Sequence, residues 1–533
     1  MRSIEPAPDV TDRAFSEHGP WVVETRDLPW LAGLADERLR LRAEVPRLLD
    51  PGWLPPLGRL LRVTSSLGAA VGVWYVKERG RPSSRVGVSR RLRRSFERLG
   101  STYVKLGQIV SGGEGLFPDE LVTEFRLLRD QVPAESFADV RAVIEADLGR
   151  PLDDVFSSFA RVPIAAASIA QVHAATLTTG EEVVVKVQRP RVARLVRTDI
   201  AAMAWLAPRL VGRIPVAALA NPPALVELFA QTVLEELDFR LEAENMLDIA
   251  AVLALTDQRK LVVPRPHPRL VTRRVLVMER LRGFAFDDVV SMADAGIDTT
   301  AVLRAGLISF LEGAMIYGVF HGDLHGGNLL VQADGRTALF DFGITARLDE
   351  VKRVAFLRLL VSGTTGDVRG QLAALRDLDV FPPDTDLDAV IRDLELDQPM
   401  MDPTKMSSDE LVNELQELMR KLIGYGVRTP KELMVFVKNM MFLNAATATL
   451  APDLDLLAQV ASVYEYFLEV HGDRIVRELG IDPSAATLDL DAVKASFGIP
   501  PDVERLTFRD LQKRRQIIIK RMQSRRRGRR RAR

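Results

Sequence analysis

Two short segments carry side chains of the right type and spacing for chemistry: His321-Gly-Asp-Leu-His-Gly-Gly-Asn328 and Leu339-Phe-Asp-Phe-Gly343. In the first, Asp323 can orient or deprotonate an attacking group, and Asn328 can offer an amide oxygen to a metal ion. In the second, Asp341 leads an Asp-Phe-Gly turn of the kind that holds the Mg²⁺ bridging nucleotide phosphates. Magnesium takes hard oxygen ligands, and these residue types supply them. Gly, Asp, Asn and His are also ordinary turn residues. The two motifs occurring together, in this order and at hairpin spacing, point to phosphoryl transfer.

Such chemistry needs a cation on the nucleotide phosphates, supplied from a strand. Lys186, in the β-branched run Val183-Val-Val-Lys-Val187, is the candidate. An acid on a helix must hold that lysine, and Glu235, Glu236, Glu242 and Glu244 all qualify; the residues alone do not choose among them. A glycine-rich phosphate loop is missing. Its place is taken by Ala165-Ala-Ala-Ser-Ile-Ala-Gln-Val-His173, so Ala165, Ala166, Ala167 and Ser168 become the candidate cofactor loop. Alanine permits N–H donation but not the positive-φ conformations that glycine reaches.

The elements that must position these groups follow from periodicity. Helices are expected at Leu31–Arg47, Leu57–Lys77, Arg90–Ser111, Pro118–Asp130 and Phe137–Leu148, with a linker over Glu78–Ser89. A hairpin of Ile169–Thr176 and Val183–Val187 turns at Gly180. Helices follow at Val192–Leu210 and, as one long element, Pro223–Leu255. Strands are expected at Val262–Pro264 and Arg274–Glu279, and a helix at Thr300–Gly318. The remainder reads as helical, with breaks at Pro382-Pro383, Pro403 and Pro430. The fold class is therefore α+β. A small strand-rich lobe precedes a helical lobe in a two-lobed protein-kinase-like arrangement, with nucleotide expected in the cleft between them. The expected divisions are 1–89 (N-terminal region and linker), 90–154 (helical extension), 155–281 (N-lobe), 282–470 (C-lobe) and 471–533 (C-terminal region).

The 533 residues are 47% apolar and 27% charged, as in a folded globular protein. The absence of cysteine excludes disulfides, thiolate catalysis and Cys-based zinc sites. The formal charge of zero conceals a tail, Lys513–Arg533, with 12 Lys/Arg and no acid, which leaves 60 basic and 72 acidic residues elsewhere. That tail suits an anionic surface, and the Ile517-Ile-Ile519 triplet favours anionic lipid over nucleic acid. No apolar run reaches the length of a spanning helix and no secretory pattern opens the chain, so a cytoplasmic protein, peripheral at a membrane, is expected.

Four segments together resemble the UbiB family, atypical protein-kinase-like proteins linked to isoprenoid-quinone biosynthesis. They are the alanine-rich run, Lys105-Leu-Gly-Gln108, Glu236-Leu-Asp238 with Phe-Arg-Leu-Glu-Ala-Glu-Asn245, and Val185-Lys-Val-Gln-Arg-Pro190. The resemblance covers roughly Arg90–Asp455. It implies that Glu242 pairs with Lys186 and that Met278-Glu279-Arg-Leu281 is an interlobe hinge contacting adenine. It also implies that Lys105 and Gln108 enter the cleft near Glu236 and Asp238, where a protein substrate would otherwise lie. ATP and Mg²⁺ are then the cofactors, ATP hydrolysis is favoured over protein phosphorylation, and quinone-biosynthesis proteins are candidate partners. The C-terminal membrane helices of some bacterial relatives have no obvious counterpart here. Two other readings share the His-Gly-Asp-x-His-x-x-Asn loop or the nucleotide site: a small-molecule phosphotransferase of the aminoglycoside or choline kinase type, and a non-catalytic ATP-binding scaffold.

Overall fold

The computed structural model describes residues 15, 19–24, 28–50, 57–78, 84–111, 118–128, 133–210, 222–256, 260–396, 417, 421–422, 424–428, 430–481, 488–496 and 499–518. Two compact units emerge, and both are discontinuous in sequence. The first comprises Met1–Ala254, Val262–Arg282 and Leu339–Ile344; the second comprises Leu255–Leu261, Gly283–Ala338 and Thr345–Arg533. The Asp-Phe-Gly turn thus belongs to the first unit and the Asp323 loop to the second.

In the first unit, β1 (Phe156–Phe159), β3 (Ala170–Leu177), β4 (Glu182–Gln188), β7 (Val275–Glu279) and β6 (Pro266–Val271) form an antiparallel sheet in that order, with β2 (Ala165–Ala166) on β3. The β4 register places Lys186 opposite Val172 and Leu276. Side chains alternate between the two faces of a strand. Val183, Val185 and Val187 therefore share one face, where they pack with Val275 and Val277 on Val140, Val143 and Ile144 of the helix Phe137–Leu148. Lys186 is consequently delivered to the opposite face. β6 is absent from the sequence reading because Pro266 and Pro268 argue against a strand; as the edge of the sheet it tolerates them.

Four helical features differ from expectation. The supposed linker shortens, because a helix already runs over Ser84–Leu99 and buries Val88, Ser89 and Ser95. The expected helix Arg90–Ser111 is two, Ser84–Leu99 and Ser101–Ser111, separated by Gly100 at φ +102°, which halts the first helix. Pro223–Leu255 is also two, Pro222–Glu235 and Phe239–Leu255. The break falls on Glu236-Leu237-Asp238, where Asp238 accepts the Arg240 amide and the Phe239 amide bonds the Arg273 carbonyl. The helix expected at Pro118–Asp130 stops at Phe125, yet Leu121, Phe125 and Leu128 do cluster, with Val104 and Val110.

The second unit is mainly helical. The helix Thr299–Glu312 passes into a π-helical turn, Gly313–Tyr317, followed by β9 (Val319–His321), which pairs antiparallel with β12 (Thr345–Arg347). Phe310, Phe320, Phe356 and Phe436 stack with centroids 4.7–5.4 Å apart along the chain of contacts, which anchors the strand leading into the Asp323 loop. Breaks occur around Pro382-Pro383 and Pro430; Pro403 and the basic tail from Ile519 onward lie outside the described residues. Among the described residues, Thr299–Tyr317 and Lys431–Leu450 are long and apolar enough to cross a membrane. Most of the former is buried and most of the latter is not, while Phe310 of the former and Phe436 of the latter stack on each other.

Candidate functional site

In the first unit, the Lys186 ammonium lies 2.7 Å from Glu242 Oε1 and 3.3 Å from Asp341 Oδ1. It also sits 5.5 Å from the Phe239 ring centroid. Of the four helical acids, the structure brings Glu242 to the lysine; Glu244 is turned to Arg38 at 2.6 Å. Burial by itself would lower the Lys186 pKa, but Asp341 and Glu242 outweigh it and hold the ammonium above the usual lysine range. Burial likewise raises Glu242, while Lys186 draws it down. Asp341 adopts φ +55°, and its side chain is 42% exposed. Asn245 Nδ2 donates to the Phe342 carbonyl at 2.7 Å and fixes the Asp-Phe-Gly turn to the same helix that carries Glu242. That helix is braced by Arg38, which reaches Glu244 and, at 3.2 Å, Asn245. Arg38 lies in the N-terminal region, beyond the reach of the motif argument, and nothing in its local sequence marks it.

The alanine-rich run is a tight hairpin. Ala165 and Ala166 pair with Val172 and Gln171, and the Ala167 amide bonds the Ala170 carbonyl at 2.8 Å. Ser168 is buried. Arg189 donates to the Ala167 carbonyl at 2.9 Å and to Pro133 and Glu135, so the turn is pinned from outside. Gln188, its neighbour, donates to the Leu237 carbonyl within the Glu236–Asp238 turn. The strand carrying Lys186 thereby ends in two side chains that tie down the alanine hairpin and the acidic turn. Below the hairpin, His173 Nδ1 is 2.7 Å from the Ala160 carbonyl and Nε2 is 2.8 Å from Gln171 Nε2, an arrangement that suits neutral imidazole; burial lowers its pKa. In the segment assigned to adenine, Met278 and Glu279 are buried in β7, and the Glu279 carboxylate accepts the Arg265 amide at 3.3 Å. The Glu279 side chain is thus engaged within the sheet. Leu281 follows the strand, next to the boundary between the units at Arg282.

Lys105 and Gln108 lie on the helix Ser101–Ser111, and the Lys105 ammonium is 3.0 Å from Glu236 Oε1, with both side chains largely buried. Burial raises Glu236 to about 7; Lys105 opposes the rise and Asp341 adds to it. Asp238, two residues on, has a partner of its own. Its buried carboxylate takes the Arg240 guanidinium at 2.6 and 3.0 Å. Gly107, between Lys105 and Gln108, is a packing residue within the helix and not its end. A Cβ there would lie 2.2 Å from Leu128 and 3.2 Å from Phe96.

In the second unit, the Asp323 loop is held by amides and imidazole. The Asp323 amide donates to His321 Nδ1 at 3.1 Å, Asn328 Nδ2 donates to the Asp323 carbonyl at 3.0 Å, and His325 Nδ1 accepts the Gly327 amide at 3.1 Å. The bond made by Asn328 Nδ2 aims the amide oxygen the other way, as a metal ligand requires. Two residues escaped the sequence reading. Asn439 accepts the Leu324 amide and donates to the His321 carbonyl, and Lys438 donates to the Asp323 carboxylate. Both sit on the helix Lys431–Leu450, and adjacent polar residues in an otherwise apolar helix were the only signal available. Among the described residues no three His, Cys, Asp or Glu side chains gather as a metal cluster.

Comparison with known proteins gives the chain a family. The chain matches the ABC1 atypical kinase-like domain over residues 127–374, a span that includes Lys186, Glu242, Asp323, Asn328 and Asp341. An uncharacterized protein of Mycobacterium tuberculosis is 33% identical over 449 residues, 79% of this chain and 84% of that protein. A probable protein kinase UbiB of Marinobacter nauticus is 30% identical over 386 residues, 70% of this chain and 69% of that protein. A solved Mycobacterium tuberculosis structure in complex with erythromycin overlaps with a TM-score of 0.40 at 22% identity, covering 64% of this chain and 87% of that one; a likeness so remote carries no argument.

Proposed function

Because this chain belongs to the UbiB family of atypical kinase-like proteins, we propose that it binds Mg–ATP and transfers or hydrolyses the γ-phosphoryl group in support of isoprenoid-quinone or related lipid metabolism. The observation that carries the proposal is the buried Lys186–Glu242 pair with the half-exposed Asp341 at 3.3 Å. Lys186 would neutralise phosphate oxygens, and Glu242 keeps it extended from β4. Asp341 and Asn328 would each offer an oxygen to magnesium, which when bound offsets charge on the phosphates. Asp323 would accept the proton of the attacking hydroxyl or water. As that oxygen bonds to phosphorus, the bond to the β-phosphate oxygen breaks and ADP departs.

Hydrolysis is favoured over protein phosphorylation by the ion pair that Lys105 makes with Glu236, since it ties the N-terminal extension to the segment preceding the Glu242 helix. The quinone link rests on the family resemblance, and attachment to anionic lipid rests on the basic tail. Purified protein assayed for ATP loss with Mg²⁺, with and without anionic liposomes, tests the reading. Turnover that Asp341→Asn and Asp323→Asn both abolish supports it. ATP binding and turnover unchanged in both variants would reject it.

A further inference from the structure

A concavity of about 480 Å³ opens on the first unit, lined by residues that have no part in the chemistry proposed above. Its walls include Trp30, Val271 and Thr272, and three guanidinium groups converge on it, from Arg240, Arg269 and Arg273. Two carboxylates answer them. Asp238 holds Arg240 in a two-point contact, and Glu37 lies 3.6 Å from Arg273. Glu37 is also 3.7 Å from Arg40, so its one charge is shared. Among the described residues Arg269 has no carboxylate partner, although its backbone amide is bonded to His267. The floor is apolar and aromatic, and the indole N–H of Trp30 is buried without a hydrogen-bond partner.

We propose that this concavity is a binding site for a phosphate group, carried either by a free anion or by a lipid headgroup. Guanidinium groups bind phosphate through two parallel N–H···O bonds, and Arg269 and Arg273 are the two not fully satisfied by carboxylates. Arg240 makes the third wall and links it to the acidic turn. Its partner Asp238 stands two residues from Glu236, the acid paired with Lys105. An anion drawing on Arg240 competes with Asp238, so occupancy should change nucleotide affinity.

The test is calorimetric titration of the full chain with inorganic phosphate and, separately, with short-chain phosphatidic acid and phosphatidylcholine. Phosphate is expected to bind, and Arg269→Ala/Arg273→Ala to weaken it by about tenfold or more, the scale of losing one charge-assisted hydrogen bond. The double variant Lys186→Met/Glu242→Gln, which removes the nucleotide lysine without stranding its acid, is expected to keep this binding. Binding of inorganic phosphate identifies a free anion as sufficient. Binding of phosphatidic acid alone identifies a headgroup whose acyl chain needs the Trp30 and Val271 wall. The proposal is overturned if neither probe binds, if the double arginine variant binds like the parent, or if Lys186→Met/Glu242→Gln removes the binding and so places it at the nucleotide residues. Phosphate that binds at the arginines but leaves the Mg–ATP affinity of the parent unchanged would overturn the coupling through Arg240.

Discussion

The two units hold their chemical groups by different physics. In the first, Lys186, Glu242, Glu236 and Lys105 are charges taken largely out of water and satisfied by one another. In the second, Asp323 sits in a frame of neutral donors and acceptors, His321, Asn328 and Asn439, with one ammonium, Lys438, more than a third exposed. Buried charge is costly to leave unpaired, whereas a neutral frame loses one bond at a time. The first unit should therefore fail abruptly and respond to pH; the second should weaken gradually.

The largest effect is expected from Lys186→Met, which strands Glu242. Leaving one partner of a buried pair uncompensated costs about 3–5 kcal/mol, to be read in urea unfolding. Adding Glu242→Gln should restore most of the stability without restoring nucleotide binding. A double variant as unstable as the single one would show that charge is not what holds this unit.

Glu236 supplies the pH arm. Burial raises its carboxyl in the folded protein to about 7 from an ordinary value of 4.5. The native state then keeps a proton that the unfolded chain releases, so stability should fall as pH rises from about 4.5 to 7 and level off above. The size is on the order of 3 kcal/mol. Glu236→Gln should flatten that slope, while Lys105→Met, which removes the opposing cation, should extend the fall to higher pH. A parent profile flat between pH 4.5 and 7 would break the contrast between the units.

In the second unit, Asn439→Ala removes bonds to the Leu324 amide and the His321 carbonyl, at a cost of about 1–3 kcal/mol. Turnover should drop while Mg–ATP affinity changes less than in Lys186→Met. If affinity collapses instead, the neutral frame also governs nucleotide binding. The smallest effect belongs to Ala167→Gly. Both polar backbone groups of Ala167 are bonded, to Ala170 and Arg189. The substitution should cost only the added chain entropy, about 0.5–1 kcal/mol, with a modest shift in nucleotide preference by competitive binding. A large loss would mean that the alanine side chain itself is needed.

Parts of this arrangement were legible because they are local. The alternation of Val183, Val185 and Val187 about Lys186 marks a strand and puts the lysine on the other face. The helices Leu57–Lys77, Phe137–Leu148 and Val192–Leu210 begin and end where their patterns do. The break at Glu236–Asp238 was hidden, since helix-forming residues continue through it and only the Arg240 and Arg273 contacts open the turn.

By itself, the sequence determined which groups exist and in what order: a lysine strand, an acidic helix, an Asp-x-x-x-x-Asn loop and an Asp-Phe-Gly turn. Spacing reports the face a side chain occupies, because backbone geometry repeats over a few residues. It does not report the partner across the fold. That Arg38 braces the helix carrying Glu242, and that Lys438 reaches Asp323, were decided by tertiary structure alone. In each case the partners are remote in the chain. Their meeting depends on how whole elements pack, and a charged side chain before packing has many oppositely charged candidates of equal local merit.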